Sequence, residues 1–193
     1  MKILTTMTVL FLFSLGAPVP AQVAPPENTT EQELMESALA GNLDNVRRLV
    51  SEGANVDSVD AEKRTALMFA AFNGHTQVVE YLLQIGAKLE HKDSTGRTAL
   101  LYASSGPYPE TVELLLKKKA KVNIQGTLEG FTALMTAAAE GQLEVVRLLL
   151  EYGADPDIVD TDNDTAASFA RLNGHTRVEA LLKDPPPANP DTN

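Results

Sequence analysis

The sequence predicts an all-α repeat solenoid, built of five helix-turn-helix units joined by short hairpin-like turns. Three observations carry that prediction. Thr-Ala opens a helical pattern at Thr65, Thr98, Thr132 and Thr165, in steps of 33, 34 and 33 residues. Gly-Ala or its equivalent recurs at Gly53-Ala54, Gly86-Ala87, Lys119-Ala120 and Gly153-Ala154, in steps of 33, 33 and 34. Two independent markers in one register are the signature of stacked supersecondary units. Finally, charged residues stand in the first and last units where inner units are apolar, as the ends of a solenoid require.

Composition narrows the function before any motif is read. A net charge of −10 and a pI near 4.7 argue against nucleic acid or an anionic membrane as partner, because both are bound through excess Lys and Arg. Cysteine is absent, which excludes a disulfide framework, a zinc knuckle and a thiolate nucleophile. The histidines are His75, His91 and His175, and no two share metal-ligand spacing.

Taken in order, residues 1–21 read as a secretory signal peptide. Lys2 precedes an apolar run at 3–15 (ILTTMTVLFLFSL), and small residues follow (GAPVPA). That run is shorter than the about 20 residues a membrane-spanning helix needs. Val19 and Ala21 hold the small-residue positions of a cleavage site, so a cut after Ala21 is expected. The mature chain would carry no membrane anchor and would be periplasmic or, alternatively, secreted. Residues 22–30 are a Pro-containing polar linker, and 184–193 (DPPPANPDTN) a disordered tail.

The array is expected over 31–183, with units at about 31–59, 60–92, 93–126, 127–159 and 160–183. In each inner unit a Thr side chain caps the first helix. Glycine nine residues after the Thr ends that helix at Gly74, Gly141 and Gly174. A second helix with an apolar face follows, as in Val145, Val146, Leu148, Leu149 and Leu150. The first unit opens with Thr30-x-x-Glu33, which reads as a capping box, and carries Glu36 and Arg48 where inner units have Phe69 and Tyr81. The fifth carries Arg171, Glu179 and Lys183 at the places of Ala71, Val79 and Leu83. The third unit is the least regular: Pro107-Tyr108-Pro109 stands between its helices, and Lys119 occupies a glycine position.

These residues resemble the ankyrin repeat, whose pattern is Thr-Pro-Leu-His at the first helix, Gly-His between helices, Val-Val-x-Leu-Leu-Leu in the second and Gly-Ala-Asp-x-Asn at the turn. The likeness is close at Gly74-His75, at Gly141 with the run 145–150, and at Gly153-Ala154-Asp155, and it covers about 31–183. With the signal peptide, the chain is similar to exported bacterial ankyrin-repeat proteins. It departs from the pattern at the first-helix His, replaced by Met68, Leu101, Met135 and Ser168.

No arrangement suggests catalysis: G-x-S-x-G, a phosphate-cradling glycine loop and H-E-x-x-H are all missing. His75 and His175 share a repeat position and read as structural, and His91 as a solvated turn residue. The turn Asp155, Asp157, Asp160, Asp162, Asp164 lacks the central Gly and closing Glu of a calcium loop, so neither a metal nor a cofactor is expected. The run Lys117-Lys118-Lys119 with Lys121 reads as solvated charge.

Surface is what remains. The resemblance implies a concave protein-binding face made of turn tips and first-helix ends. Carried over, those positions are Glu62, Arg64, Thr95, Arg97, Leu128, Glu129, Phe131, Asp162 and Asp164, with Phe72, Asn73, Ser105, Glu140 and Asn173. Arg64, Phe72, Arg97 and Phe131 are the expected anchors, Arg97 and Phe131 being exposed, whereas Phe69, Tyr102 and Phe169 are expected in the core. The chain is therefore read as a non-catalytic protein-protein interaction module, monomeric by itself, whose partner is another protein. Two narrower versions are an immunity protein that neutralises a periplasmic toxin and an accessory protein for a periplasmic oxidative-defence enzyme.

Overall fold

A computed structural model of the chain describes residues 29–186. The signal peptide assigned to 1–21, residues 22–28 of the linker assigned to 22–30 and the tail from 187 onward lie outside the described residues, and the last two linker residues, Thr29 and Thr30, are helical, so the array begins earlier than expected. Among those described, there are five helix pairs and no strand. In each pair a first helix is followed by a second: α1 (Thr29–Leu39) and α2 (Leu43–Ser51), α3 (Ala66–Phe72) and α4 (Thr76–Gln84), α5 (Ala99–Ala103) and α6 (Pro109–Lys117), α7 (Ala133–Ala139) and α8 (Leu143–Glu151), α9 (Ala166–Leu172) and α10 (Thr176–Lys183). First helices stack on first helices and second on second, giving two layers with the core between them.

The expected caps form where the pattern is regular. The hydroxyls of Thr65, Thr132 and Thr165 accept from the backbone N–H of Met68, Met135 and Ser168 at 3.4, 3.2 and 3.3 Å. Thr98 makes no such bond, and its helix α5 is the shortest at five residues. Alanines at Ala70, Ala71, Ala137 and Ala138 are wholly buried and allow first helices to approach closely. On the second helices one leucine per unit, Leu49, Leu82, Leu115, Leu149 and Leu182, forms a buried ladder. Where Val78 and Val145 stand in other units, the third has the buried Thr111, whose hydroxyl is 2.7 Å from that of Thr76.

Histidine ties units together rather than helices within one. His75 Nε2 donates to the Leu39 carbonyl at 2.9 Å and His175 Nε2 to the Ala139 carbonyl at 3.0 Å. A carbonyl only accepts, so both rings carry their proton on Nε2. Each ring lies against a glycine of the preceding unit: a Cβ on Gly141 would stand 2.5 Å from His175 Nδ1. In the irregular third unit the ring of Tyr108 takes that place against Gly74. Lys119 adopts a left-handed backbone, φ 69°, at the position that is glycine elsewhere.

Three expectations are corrected. Thr30 lies inside α1, and Glu33 receives Asn45 Nδ2 at 3.1 Å and Arg48 at 2.8 Å, so these side chains tie α1 to α2 instead of forming a capping box. Phe69, Tyr102 and Phe169 are half-buried at the edge of the core, where Arg64 and Arg97 lie over the rings of Phe69 and Tyr102 and Phe131 packs on Phe169. His91 is also half-buried, with Nε2 donating to the Lys63 carbonyl at 3.1 Å, where Lys63 turns through φ 61°.

Candidate functional site

The concave face is organised by an aspartate five residues ahead of the threonine that precedes a first helix. Asp60 Oδ1 accepts from the N–H of Glu62 and Arg64 at 3.0 and 2.8 Å. Asp93 Oδ1 accepts from Thr95 and Arg97 at 2.8 and 2.9 Å, and Asp160 Oδ1 from Asp162 and Asp164 at 2.9 and 2.8 Å. One carboxylate thus fixes two amides of each turn and aims the residue before the threonine. In the fourth unit Thr127 stands at this position. There Gly126 N–H donates to the Phe131 carbonyl at 2.9 Å, and Gln125 Nε2 bridges the carbonyls of Gly130 and Val159 at 2.8 and 2.9 Å. Successive tips are joined by single backbone bonds, Ser94 to Glu62, Thr127 to Thr95 and Thr161 to Glu129.

Asp93 is the most enclosed of the three. Its side chain has 0% exposure and also accepts from Tyr102 Oη at 2.7 Å, Thr95 Oγ1 at 2.8 Å and Arg97 Nε at 2.9 Å. Burial pushes its carboxyl up, but the bonds from Tyr102, the Arg97 backbone, Thr95 and the Arg97 side chain outweigh that and hold it at about 2. Burial, reinforced by the bond to Asp93, pushes the Tyr102 hydroxyl above the usual phenol range.

Rings and guanidinium groups line the face next to these turns. Arg64 lies 4.8 Å over Phe69 and Arg97 4.9 Å over Tyr102. Phe72 meets Tyr102 edge-on at 6.2 Å, and Phe131 meets Phe169 edge-on at 4.9 Å.

The proposed binding residues therefore differ in availability. Leu128 is 70% exposed and Phe72 36%. Glu129 and Glu140 are exposed, whereas Glu62, also exposed, pairs with Arg64 at 2.9 Å. Arg64 is half-buried and bound to Asp60 and Glu62, and Arg97, exposed as expected, is held by Asp93. Phe131 is half-buried against the next unit, contrary to its expected exposure. Asn73 Nδ2 donates to the Leu39 carbonyl at 2.7 Å, as Asn173 does to Ala139, and Ser105 Oγ donates to the Tyr102 carbonyl at 2.8 Å. The polar groups of Asn73 and Ser105 are thus engaged within the array.

Sequence reasoning overlooked two sets of residues. The Asp-Thr spacing of five at Asp60, Asp93 and Asp160 was visible in the repeat and marks the turn hubs. Leu39 and Leu172 share the register of Phe72, and Leu172 is 58% exposed. In the acidic turn, Asp155 and Asp160 accept from backbone amides, and the described residues contain no group of three or more His, Asp or Glu side chains placed to hold a metal. Lys117 pairs with Glu113 at 2.7 Å. No helix among the described residues is long and apolar enough to cross a membrane.

Comparison with known proteins agrees with this architecture. A family model described as ankyrin repeats in three copies matches residues 34–126, and a single ankyrin repeat matches 129–161. Ankyrin repeat family A protein 2 of Mus musculus is 50% identical over 48 residues, 25% of this chain and 15% of that protein. DNA-binding protein RFXANK of Homo sapiens is 49% identical over 45 residues, 23% of this chain and 17% of that protein. Glycerophosphocholine phosphodiesterase GDE1 of Candida albicans is 41% identical over 63 residues, 33% of this chain and 5% of that protein. The matched segments span less than a fifth of the curated relatives' own length.

Proposed function

The chain belongs to the ankyrin-repeat family, and from that premise we propose that it is a non-catalytic module that binds another protein through its concave face, in the periplasm or outside the cell. Ankyrin repeats mediate protein-protein interaction. The observation that carries the reading is the set of exposed apolar side chains on that face, Phe72, Leu128 and Leu172. Large exposed apolar residues grouped on one side of a domain mark an interaction surface. Export rests on the pattern of residues 1–21. Both narrower roles, immunity protein for a periplasmic toxin and accessory protein for an oxidative-defence enzyme, use the same face and are separated by the identity of the partner.

Capture from periplasmic extract tests the reading, with residues 22–193 as bait. A concave-face variant, Phe72→Ser with Leu128→Ser, is expected to lose the captured protein. An outer-face variant, Gln77→Ser with Glu80→Ser, is expected to retain it. Loss in the outer variant with retention in the concave one overturns the assignment.

A further inference from the structure

We propose that the part of the concave face formed by the fourth and fifth units takes a cationic amphipathic segment of the partner, with apolar side chains on a strip of Leu128, Phe131, Phe169 and Leu172 and Lys or Arg side chains against its acidic borders. This rests on the reading of the concave face as the binding surface and adds the chemistry of what binds.

The strip runs across two units. Leu128 lies in the turn three residues ahead of Phe131, the Phe131 ring packs on that of Phe169 at 4.9 Å, and Leu172 follows one helical turn later on α9. Its two ends are the most exposed large apolar residues described, 70% at Leu128 and 58% at Leu172. Glu129 and Asp162 hold equivalent places at adjacent turn tips, which the bond from Thr161 N–H to the Glu129 carbonyl joins. Asp164 stands where Phe131 stands one unit earlier. Glu140 caps α7 next to Ala139, whose carbonyl is held by Asn173, the neighbour of Leu172. Four carboxylates thus border the strip.

Charge complementarity identifies the occupant. The arginines of the same face, Arg64 and Arg97, are already neutralised by Asp60, Glu62 and Asp93. By contrast, Glu129, Glu140, Asp162 and Asp164 have no ion-pair partner among the described residues. Arg171 does not supply one: its register position is buried in the inner units and exposed here, so it faces the array's end. The turn tips of the fourth and fifth units, 125–131 and 158–164, contain no Lys or Arg, so the unmatched negative charges there select a positive partner and repel an acidic one. Apolar anchors between charged borders suit an amphipathic segment.

A random peptide library displayed on phage and selected on the full chain tests this. The expected winners combine Lys or Arg with aromatic or aliphatic residues. A synthetic copy of the strongest should bind the full chain, less tightly as salt is added. Its affinity should fall about tenfold or more in the variant E129Q/E140Q/D162N/D164N, and likewise in L128S/L172S. Those four carboxylates accept no hydrogen bond that builds a turn, so the first variant retains its fold, which circular dichroism verifies. Selection of neutral or acidic sequences, binding unchanged in both variants, or no selection above background overturns the proposal. Any of these with the Phe72 and Leu128 capture result intact refutes the cationic segment alone and leaves the broader reading standing.

Discussion

Asp93 joins three levels of the structure through one carboxylate. It closes a turn, anchors Arg97 and holds the Tyr102 hydroxyl, all with no exposure of its own. Its folded pKa of about 2 lies below the ordinary value of 3.8. A depressed acid stabilises the fold above its unfolded pKa, and that contribution disappears as pH falls through the folded one. About 2 kcal/mol of stability should therefore be lost between roughly pH 4 and pH 2. Asp93→Asn is expected to be less stable at pH 7 and to lack this portion of the acid dependence, read by urea unfolding across that range. A variant whose acid sensitivity matched the parent would assign the loss to other carboxylates. Arg97→Ala is linked to the same group, since it removes a donor from a buried carboxylate, and should cost roughly 1–3 kcal/mol. Exposure of Arg97 alone suggests a change neutral to folding, and the unfolding midpoint of this variant distinguishes the two.

The helices are too short to stand alone. Isolated helices below about 12–15 residues are marginal in water, and those described here run from five to eleven. Packing against the units on either side supplies the difference. Leu149, wholly buried in α8, is one rung of the leucine ladder. Leu149→Ala should destabilise the array by about 2–5 kcal/mol, the range for truncating a buried leucine, and a loss below about 1 kcal/mol in urea unfolding would contradict that packing. At the end of α6, Lys119 occupies the left-handed region at φ 69°. Lys119→Gly relieves that conformation and should raise stability by up to about 1 kcal/mol, seen as a higher thermal midpoint. A lower midpoint would show that what the lysine side chain contributes exceeds the backbone cost.

As a whole molecule the protein is a stack in which each unit touches only its neighbours, so stability is close to a sum over units and their interfaces. The asparagine and histidine bonds from Asn73 and His75 to the Leu39 carbonyl, repeated by Asn173 and His175 at Ala139, are interface bonds of this kind. They join the ends of neighbouring first helices, as the backbone bonds from Ser94 to Glu62, Thr127 to Thr95 and Thr161 to Glu129 join the turn tips. Where the protein works is a separate proposal with its own measurement. Protein recovered from the periplasm or medium should begin at Gln22, as mass spectrometry of its N-terminus would show. An intact N-terminus in a soluble cytosolic fraction would end the proposal of export.

The solenoid, its five units, their register and the polar end units were legible in the order of amino acids alone. Each of these depends on what recurs every 33 or 34 residues, and recurrence is visible in one dimension. Even the overlooked aspartates at Asp60, Asp93 and Asp160 were legible in that way. Which concave-face residues are free depends instead on contacts made in the folded array. Phe131 is covered by Phe169, Asn73 is engaged by the Leu39 carbonyl, Tyr102 reaches back to Asp93, and Arg97 is held in place by that same carboxylate. Two of these contacts, Phe131 with Phe169 and Asn73 with Leu39, join residues more than thirty positions apart in neighbouring units. The Tyr102 contact has no counterpart at Phe69 or Phe169, which hold the same register position without a hydroxyl, whereas the pairing of Arg97 with Asp93 repeats as that of Arg64 with Asp60. A periodic pattern fixes where a side chain begins, whereas its partner across or within the turn fixes where it ends, and only packing in three dimensions brings the two together.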